Sequence, residues 1–489
     1  MKIKKKKDYL ELDFGKSLST TKILAGVLVI LTLGFNLLNF STNTGVWWDE
    51  AEYLSFVNHI VDSAPYSMWE GRAIFYPLML SLFAFINNSE TMLRIGLLLI
   101  NALTVLFSFL VLKKLFNEKI AFIATLFFLT NDLFRFFSLR FLTSIPSMMF
   151  ILIGLYFYLK NDTKSKLISG VLFGFATATR FTSIIIVPAL IIYEIWNKNK
   201  DIKSYAWIPA ILLGFLPTMI FDVVQGEAPW NTLVTFFTQS TMARDWGANL
   251  GQWYFYLTNL PTIAGINDLF LLILWIILFF IGFFSLIFRL KKKKEIIIIL
   301  LFSLFHLLAY SFMTPLKEHR YIIPILPFIY AIISIGIINV SKSIAGQISK
   351  AWKYKHLELI ITGLITALFV LTTIPLANNM IASSSNSYQE LGMAGALLKT
   401  IPSNQIIMTN AGPHVSYYSE KEVTGFPANM TDLINELNNN ANINYLVISF
   451  YETTPAYTND FINNSYFGLI KQYVRGNSTY LVILQYLRE

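Results

Sequence analysis

Long apolar runs separated by short polar segments dominate the first 376 residues of this chain. A run of about 20 apolar residues is long enough to cross a bilayer as a helix. The pattern therefore predicts an α-helical polytopic membrane domain over residues 1–376, with about eleven transmembrane helices. The predicted spans are residues 21–40, 92–112, 120–130, 143–159, 167–179, 183–196, 207–221, 269–288, 296–312, 321–340 and 359–376.

Lysine clusters follow every second apolar run, and residues 4–7, which are all lysines, precede the first. Basic residues concentrate on the cytoplasmic side of membrane proteins. We therefore predict a cytoplasmic N-terminus and interpret the first run as a signal anchor rather than a cleaved signal peptide. Arg135 and Arg140 are exceptions, because this topology places them outside. The first exterior loop then covers residues 41–90, within which residues 53–61 and 73–86 favour a short amphipathic helix and an interfacial helix.

Residues 377–489 differ from the rest of the chain because they are rich in Asn and Ser. Short β-like runs at 405–409, 445–450 and 480–485 alternate with helix-like runs at 388–399 and 431–437. That alternation predicts a small α/β domain. An odd number of spans places this domain outside, on the same face as the first loop.

Composition supports the membrane interpretation and excludes several other classes. The chain is 55% hydrophobic and only 14% charged, whereas soluble domains carry about 25% charged residues. The net charge of +9 comes from the clusters that the topology already explains, so we predict no nucleic-acid partner. Zero cysteines exclude disulfides and thiolate catalysis. The sequence contains neither a glycine-rich phosphate loop nor an HExxH motif, which argues against an ATP-driven pump and a zinc peptidase.

Three acids, Asp49, Glu50 and Glu52, follow the first span directly, next to Trp47 and Trp48. Carboxylates are costly near hydrocarbon, so their position needs a reason. One interpretation is a solvated acidic cap beside an interfacial tryptophan belt. The other is a general base at the depth of the lipid headgroups.

A second charged group, residues 317–321, stands at the exterior end of a predicted span. It combines cationic side chains with an acid and a tyrosine in the order Lys317, Glu318, His319, Arg320 and Tyr321. It is either an exterior basic patch or a set of cationic donors for a lipid phosphate. The two sites together pair a base with an anion clamp. Arg180 stands at a predicted exterior turn, where an anchoring role and a substrate role both remain open.

The order of these motifs along residues 20–340 resembles the C-type integral-membrane glycosyltransferases (GT-C fold), especially the protein mannosyltransferase and aminoarabinose transferase type. The chain departs from the family's pattern at Ser144-Ile145-Pro146, where members often carry an acid before the proline. The motifs that carry the resemblance are Asp49-Glu50 after the first span, Arg72-Ala73-Ile74-Phe75-Tyr76-Pro77-Leu78, Arg94, the turn at residues 177–181, and the segment 317–324.

The resemblance implies transfer of a monosaccharide from a dolichyl or undecaprenyl phosphate donor to an exterior protein, glycolipid or lipid-linked glycan, with inversion at the anomeric carbon. In such a reaction Asp49 would accept the proton of the acceptor hydroxyl, and Glu50 would orient Asp49 or a sugar hydroxyl. Because the leaving group is already a phosphate monoester held by cations, we predict no metal or other cofactor. The donor phosphate would be bound by Arg320, Lys317, His319 and Arg72. Further candidate substrate-binding residues are Glu52, Arg94, Arg180, Glu318 and Tyr321.

Three alternatives remain at this stage. A flippase or transporter of lipid-linked sugars would have ionisable residues at mid-membrane and an internal inverted repeat. The charges here lie at helix ends and no clear repeat is visible, which favours the enzyme. An oligosaccharyltransferase-like enzyme and a non-catalytic membrane scaffold are the other two alternatives.

Overall fold

The chain folds into a bundle of apolar helices with a small sheet domain at its C-terminal end. The computed structural model describes residues 14–41, 45–198, 201–239, 252–314, 316–348, 356–463 and 465–487. The lysines at positions 4–7, on which the predicted orientation partly depends, lie outside these ranges. Their placement on the cytoplasmic side stays a prediction.

The membrane domain consists of α-helices with short 3-10 and π-helical turns between them. The turns lie at Phe181–Ile185, Ile202–Tyr205, Ala309–Met313 and His319–Ile325. In chain order the helices are α1 (Phe14–Leu38), α2 (Trp48–Asp62), α3 (Phe75–Ala84), α4 (Glu90–Leu115), α5 (Glu118–Thr130), α6 (Asp132–Phe137), α7 (Ser144–Tyr158), α8 (Thr163–Thr179), α9 (Ile186–Trp196), α10 (Trp207–Val224), α11 (Asn231–Gln239), α12 (Phe255–Thr258), α13 (Leu260–Ala264), α14 (Leu269–Leu290), α15 (Ile296–Leu308), α16 (Leu326–Ile348) and α17 (Leu357–Ser384).

Every predicted span overlaps one of these helices, which confirms the helical membrane fold. Within the described ranges, six helical segments are long and apolar enough to cross a membrane. The predicted total of eleven stays a prediction, because the other spans overlap shorter helices. Helix α17 continues past residue 376 to Ser384. The six segments are Thr20–Leu38, Glu90–Leu115, Ile202–Val224, Leu269–Leu290, His319–Ile348 and Leu357–Leu398.

Small residues allow two helix pairs of the bundle to approach closely. A Cβ added at Gly174 of α8 would lie 2.2 Å from the carbonyl oxygen of Ile211 in α10, and Gly214 makes the reciprocal approach. Gly282 and Gly336 bring α14 and α16 together in the same way. Membrane helices associate by this kind of tight packing, because lipid supplies no hydrophobic drive between them.

The C-terminal domain is a five-stranded sheet flanked by helices, in agreement with the predicted α/β alternation. The strand order is β2-β1-β3-β5-β4, in which β1 pairs in parallel with β2 and β3, while β5 pairs antiparallel with β3 and β4. Its elements are α18 (Gln389–Leu398), β1 (Ile406–Thr409), α19 (Gly412–Ser419), β2 (Val423–Thr424), α20 (Met430–Asn439), β3 (Ile443–Ser449), a 3-10 turn (Ala456–Asn463), β4 (Phe467–Arg475) and β5 (Ser478–Tyr486).

Helix α19 of this domain packs against α2, so the domain lies at the same end of the bundle as Asp49. The lysine-rich turns meet one another elsewhere: Lys293 donates to the carbonyl oxygen of Lys114, and Lys119 pairs with Glu358 at 2.7 Å. We call the place where these turns meet the lysine-rich end of the bundle, and helix α4 ends there. At about 1.5 Å per residue, the 26 residues of α4 span the bundle. This separation of the lysine-rich turns from Asp49 is the arrangement that the charge pattern predicts.

Candidate active site

Helix α2 begins immediately before the acidic cluster and fixes the direction of its side chains. The carboxylate of Glu50 accepts the N–H of Trp47 at 2.6 Å, which satisfies a free donor at the helix start. Acids in a first helical turn also interact favourably with the helix dipole. Asp49 and Glu52 are three residues apart, so they lie on one face of the helix.

Asp49 is held between two arginines from distant parts of the chain. Its Oδ1 lies 2.5 Å from Nη2 of Arg72, and its Oδ2 lies 2.8 Å from Nη2 of Arg320. Burial alone raises the pKa of Asp49, but the charges of Arg72 and Arg320 outweigh it and hold the pKa far below its usual range. The carboxylate is therefore ionised and shared between two guanidinium groups in this structure.

The ion pairs continue on both sides of Asp49. Arg72 also pairs with Glu52, which accepts the N–H of Trp69 at 3.1 Å, and Arg320 also pairs with Glu318. Burial raises the pKa of Glu52 despite the charge of Arg72. The result is a row of alternating charges, Glu52–Arg72–Asp49–Arg320–Glu318, which we call the charge row. It contains three carboxylates and two guanidinium groups.

Tyr321 extends the charge row toward Arg180. Its hydroxyl donates to Glu318 at 3.1 Å, and the guanidinium of Arg180 stands 4.7 Å above its ring. Arg180 also donates to the hydroxyl oxygens of Tyr310 at 3.1 Å and Thr143 at 3.2 Å. Among the described residues no carboxylate pairs with Arg180. It is therefore a cation beside the charge row that hydroxyl groups and tyrosine rings hold in place.

Ser144 belongs to the segment at which the sequence departs from the family pattern of an acid before the proline. Its hydroxyl lies 3.4 Å from Nη1 of Arg180, at the long end of the hydrogen-bond range. A carboxylate in this position would neutralise Arg180. The departure from the family pattern thus leaves the positive charge of Arg180 available to an anionic ligand.

A cavity of about 640 Å³ opens beside the charge row on the side of Glu318. The carboxylate of Glu318 connects the cavity to Asp49 through Arg320. The wall combines five aromatic side chains with six polar or charged ones, which can orient a ligand. The cavity is lined by Trp47, Phe136, Phe137, Gln252, Tyr254, Phe255, Thr258, Lys317, Glu318, His319, Met380 and Ser384.

Two of the predicted phosphate ligands, Lys317 and His319, lie in this wall. The ammonium of Lys317 donates to three main-chain carbonyls at the end of the π-helical turn, at 2.6, 2.8 and 2.5 Å. Its three donors are thus occupied, and burial lowers its pKa. His319 Nε2 lies 3.1 Å from the side-chain oxygen of Asn259. A phosphate that binds Nε2 of His319 or the ammonium of Lys317 would have to displace one of these partners.

Glu50 points into the protein core and does not join the charge row. Its side chain is 1% exposed, pairs with the buried Arg140, and accepts the N–H of Phe141 at 2.6 Å. Burial raises the pKa of Glu50 despite the charge of Arg140 and the backbone donors. The guanidinium of Arg140 also stands 4.3 Å above the ring of Trp47. Glu50 thus fastens the start of α2 to the segment before α7.

Arg94, the remaining candidate, also contacts groups of the protein core rather than the charge row. It pairs with Glu90 one helical turn earlier at 2.5 Å and donates to the carbonyl oxygen of Leu139 at 3.3 Å. Its guanidinium stands 5.4 Å above the ring of Phe141. It therefore holds α4 against the same segment that binds Glu50. The structure brings Asp49, Arg72, Glu52, Glu318, Arg320, Tyr321 and Arg180 together, and it places Glu50 and Arg94 behind them.

Sequence and structure comparisons point to one fold. Residues 71–221 match the family model described as dolichyl-phosphate-mannose-protein mannosyltransferase. A search of curated protein sequences finds no match. The matched segment, residues 71–221, contains Arg72, Arg94 and Arg180, but it includes neither Asp49 nor Arg320.

Solved structures of low sequence identity share the fold over most of the chain. ArnT from Cupriavidus metallidurans bound to undecaprenyl phosphate is 11% identical with a TM-score of 0.64, and the match covers 94% of this chain and 97% of ArnT. The archaeal oligosaccharyltransferase AglB from Archaeoglobus fulgidus, in complex with an inhibitory peptide and a dolichol-phosphate, is 12% identical with a TM-score of 0.62. That match covers 88% of this chain and 69% of AglB. The chain thus shares the fold of ArnT and AglB over most of its length, and its residues 71–221 match a family of membrane mannosyltransferases.

Proposed function

We propose that the protein transfers a monosaccharide from a polyprenyl phosphate donor to an acceptor on the predicted exterior side, with inversion at the anomeric carbon. The observation that carries the proposal is the position of Asp49, an ionised carboxylate held between Arg72 and Arg320 beside Arg180. A base next to several guanidinium groups suits a reaction in which a hydroxyl is deprotonated and a phosphate departs. The polyprenyl phosphates bound to ArnT and AglB support a lipid donor of this class.

The reaction needs one bond to form and one to break. The oxygen of the acceptor hydroxyl attacks the anomeric carbon, and the bond from that carbon to the phosphate oxygen breaks. The hydroxyl proton passes to Asp49, and the polyprenyl phosphate leaves with the electron pair of the broken bond. Attack from the side opposite the phosphate inverts the anomeric centre.

The double ion pair of Asp49 makes it a weak base before the donor binds. A carboxylate whose pKa lies far below its usual range does not readily take up a proton. The donor phosphate competes with Asp49 for Arg72 and Arg320, because a guanidinium binds phosphate and carboxylate in the same bidentate manner. Donor binding therefore loosens Asp49 from its partners and raises its basicity when a substrate is present.

Arg180 is well suited to receive the phosphate first, because no carboxylate of the described residues neutralises it. Arg320 lies close, since both guanidinium groups stand over the ring of Tyr321, at 4.7 and 5.6 Å. We assign the leaving phosphate to Arg180 and Arg320, with Arg72 and His319 as further ligands. Lys317 contributes its charge from the end of the π-helical turn, and Glu52, Glu318 and Tyr321 hold the guanidinium groups in place.

Replacing Arg180 tests this assignment. Arg180→Met is expected to raise the KM for the lipid donor about 10- to 100-fold, because a charged hydrogen bond to phosphate contributes about 1.5–3 kcal/mol. Arg180→Lys keeps the charge and should recover part of the loss. Arg289→Met, at the lysine-rich end, is the matched control and should leave the KM unchanged. An unaltered KM in Arg180→Met would remove Arg180 from the phosphate site.

We also propose that the transfer proceeds without a metal ion. The leaving group is a phosphate monoester whose charge the guanidinium groups can balance, and the arginines engage the nearby carboxylates of Asp49 and Glu52. Within the described ranges, no three His, Asp or Glu residues group closely enough to hold a metal ion. Transfer rates measured before and after dialysis against EDTA should agree within about twofold. A loss that added Mg²⁺, Mn²⁺ or Zn²⁺ restores would refute this proposal.

A donor panel tests the proposed function itself. Purified protein in lipid nanodiscs is incubated separately with radiolabelled dolichyl-phosphate monosaccharide, undecaprenyl-phosphate monosaccharide and a polyprenyl-pyrophosphate oligosaccharide. Membranes from a strain lacking the protein are the source of acceptor. Transfer of label from one of the two monosaccharide donors is the expected result. Transfer only from a polyprenyl-pyrophosphate oligosaccharide would favour the oligosaccharyltransferase alternative that the similarity to AglB raises. Movement of lipid-linked sugar across a vesicle membrane without transfer would favour the flippase.

A further inference from the structure

The C-terminal domain contacts the helix that carries Asp49 through α19. The hydroxyl of Ser416 donates to the carbonyl oxygen of Pro65 at 3.1 Å, and the side chain of Asn58 donates to the carbonyl oxygen of Tyr417 at 3.5 Å. The contact of Asn58 lies within α2, and that of Pro65 lies just after the end of the helix. Another pair of contacts lies at the start of the helix, close to Asp49.

Both main-chain groups of Val46 are held by side chains of α19. The N–H of Val46 donates to the hydroxyl of Tyr418 at 3.3 Å, and the carbonyl oxygen of Val46 accepts from Nε2 of His414 at 3.1 Å. His414 and Tyr418 are four residues apart, so they project from the same face of α19. A single helix face therefore fixes the peptide units on both sides of Val46.

His414 is firmly placed. It is fully buried, its ring stacks on Tyr388 at 5.2 Å, and the edge of Trp48 packs against it at 5.8 Å. A carbonyl oxygen can only accept, so Nε2 carries the hydrogen, and burial lowers the pKa of His414 to about 4, which keeps the ring neutral. The ring cannot turn without losing the bond to Val46 and the contact with Trp48.

Val46 lies three residues before Asp49, and the residues between them are restrained as well. Trp47 donates its N–H to Glu50 and lies under Arg140, while Trp48 contacts His414. The direction in which α2 leaves Val46 determines where the Asp49 carboxylate stands relative to the arginines. A displacement of about 1 Å in a catalytic group can lower a rate about 10²-fold.

We propose that His414 and Tyr418 are positioning residues for the transfer reaction, and that the C-terminal domain holds Asp49 in register with Arg72 and Arg320. The proposal rests on the proposed function, in which Asp49 is the base. Neither side chain touches the substrate; each acts through the backbone of Val46. Loss of either contact should lower kcat much more than it changes the KM for the donor, because the phosphate ligands lie on other elements and only their competition with Asp49 is altered.

The test compares Tyr418→Phe, which removes only one hydroxyl, with Tyr417→Phe, the same change one residue earlier. Tyr417 has no side-chain bond to Val46. His414→Leu removes the second contact, and His414→Gln is the conservative variant because its amide can donate to the carbonyl of Val46. We measure kcat and KM with the best donor of the panel, and amide hydrogen exchange of the peptide that contains residues 45–50. All are measured on the full-length protein, with Asp49→Asn in parallel.

Tyr418→Phe should lower kcat about 3- to 10-fold, and His414→Leu about 10- to 100-fold, with faster exchange at Val46 and a KM within about twofold of the wild type. His414→Gln should recover most of the activity, and Tyr417→Phe should match the wild type. If Tyr418→Phe exchanges faster at Val46 but turns over at the wild-type rate, the positioning role is refuted while the inactivity of Asp49→Asn keeps the proposed function. If Asp49→Asn is fully active, the proposed function fails and this inference fails with it.

Discussion

Asp49→Asn is expected to reduce sugar transfer about 10²- to 10⁴-fold while the protein still folds. Loss of a general base typically costs about 10²- to 10⁴-fold in rate. The amide of Asn cannot take up the proton of the acceptor hydroxyl, although it has nearly the same shape as the carboxylate. The measurement is kcat with radiolabelled donor in nanodiscs, together with the thermal unfolding midpoint.

Asp62→Asn is the matched control for this experiment. Asp62 lies at the other end of α2, is exposed, and accepts from Asn88 at 2.5 Å. The same chemical change there should leave kcat within about twofold of the wild type, because no substrate group depends on it. Near-normal turnover by Asp49→Asn would remove this carboxylate from the mechanism.

Arg140→Met is expected to lower the free energy of unfolding by about 3–5 kcal/mol, the largest stability effect that we anticipate. It leaves Glu50 in a buried site without its charged partner, so the carboxylate must remain unpaired or take up a proton. It also removes the guanidinium from the ring of Trp47. Unfolding of the detergent-solubilised variant, followed by circular dichroism, measures the change.

A double-mutant cycle identifies the reason for that loss. The variant Arg140→Met with Glu50→Gln removes both charges, so it should recover at least half of the stability that Arg140→Met loses. If the double variant is as unstable as the sum of the two single variants, the pair does not interact. The contact between Arg140 and Glu50 would then contribute nothing to the free energy of unfolding.

The sequence predicted the helices of the membrane domain well, because hydrophobic run length alone identifies such helices. It also indicated that Asp49 and Arg320 belong to one site, since both stand at helix ends on the same predicted face. The distances that join them could not be predicted. Residues 49, 72 and 320 come together only when α2, the segment before α3, and the turn before α16 pack on one another.

The pairing of Glu50 with Arg140 shows why neighbouring acids were hard to distinguish. Glu50 is adjacent to Asp49 and also carries a carboxyl group, yet the helical rotation between adjacent residues turns it toward the core. The one signal for its partner was that Arg140 is a basic residue on the face that basic residues usually avoid. For Lys317 the sequence could not show the local backbone. Its charge indicated a phosphate ligand, whereas its ammonium donates to three main-chain carbonyls at the π-helical turn.

The most direct test of the central claim follows both products of a single reaction. Purified wild-type protein is given the best donor of the panel together with acceptor membranes, and the free polyprenyl phosphate and the anomeric configuration of the transferred sugar are measured by mass spectrometry and NMR. The account predicts one polyprenyl phosphate released for each monosaccharide transferred, with inverted configuration and no release by Asp49→Asn. Retained configuration, or equal release by Asp49→Asn, would contradict it.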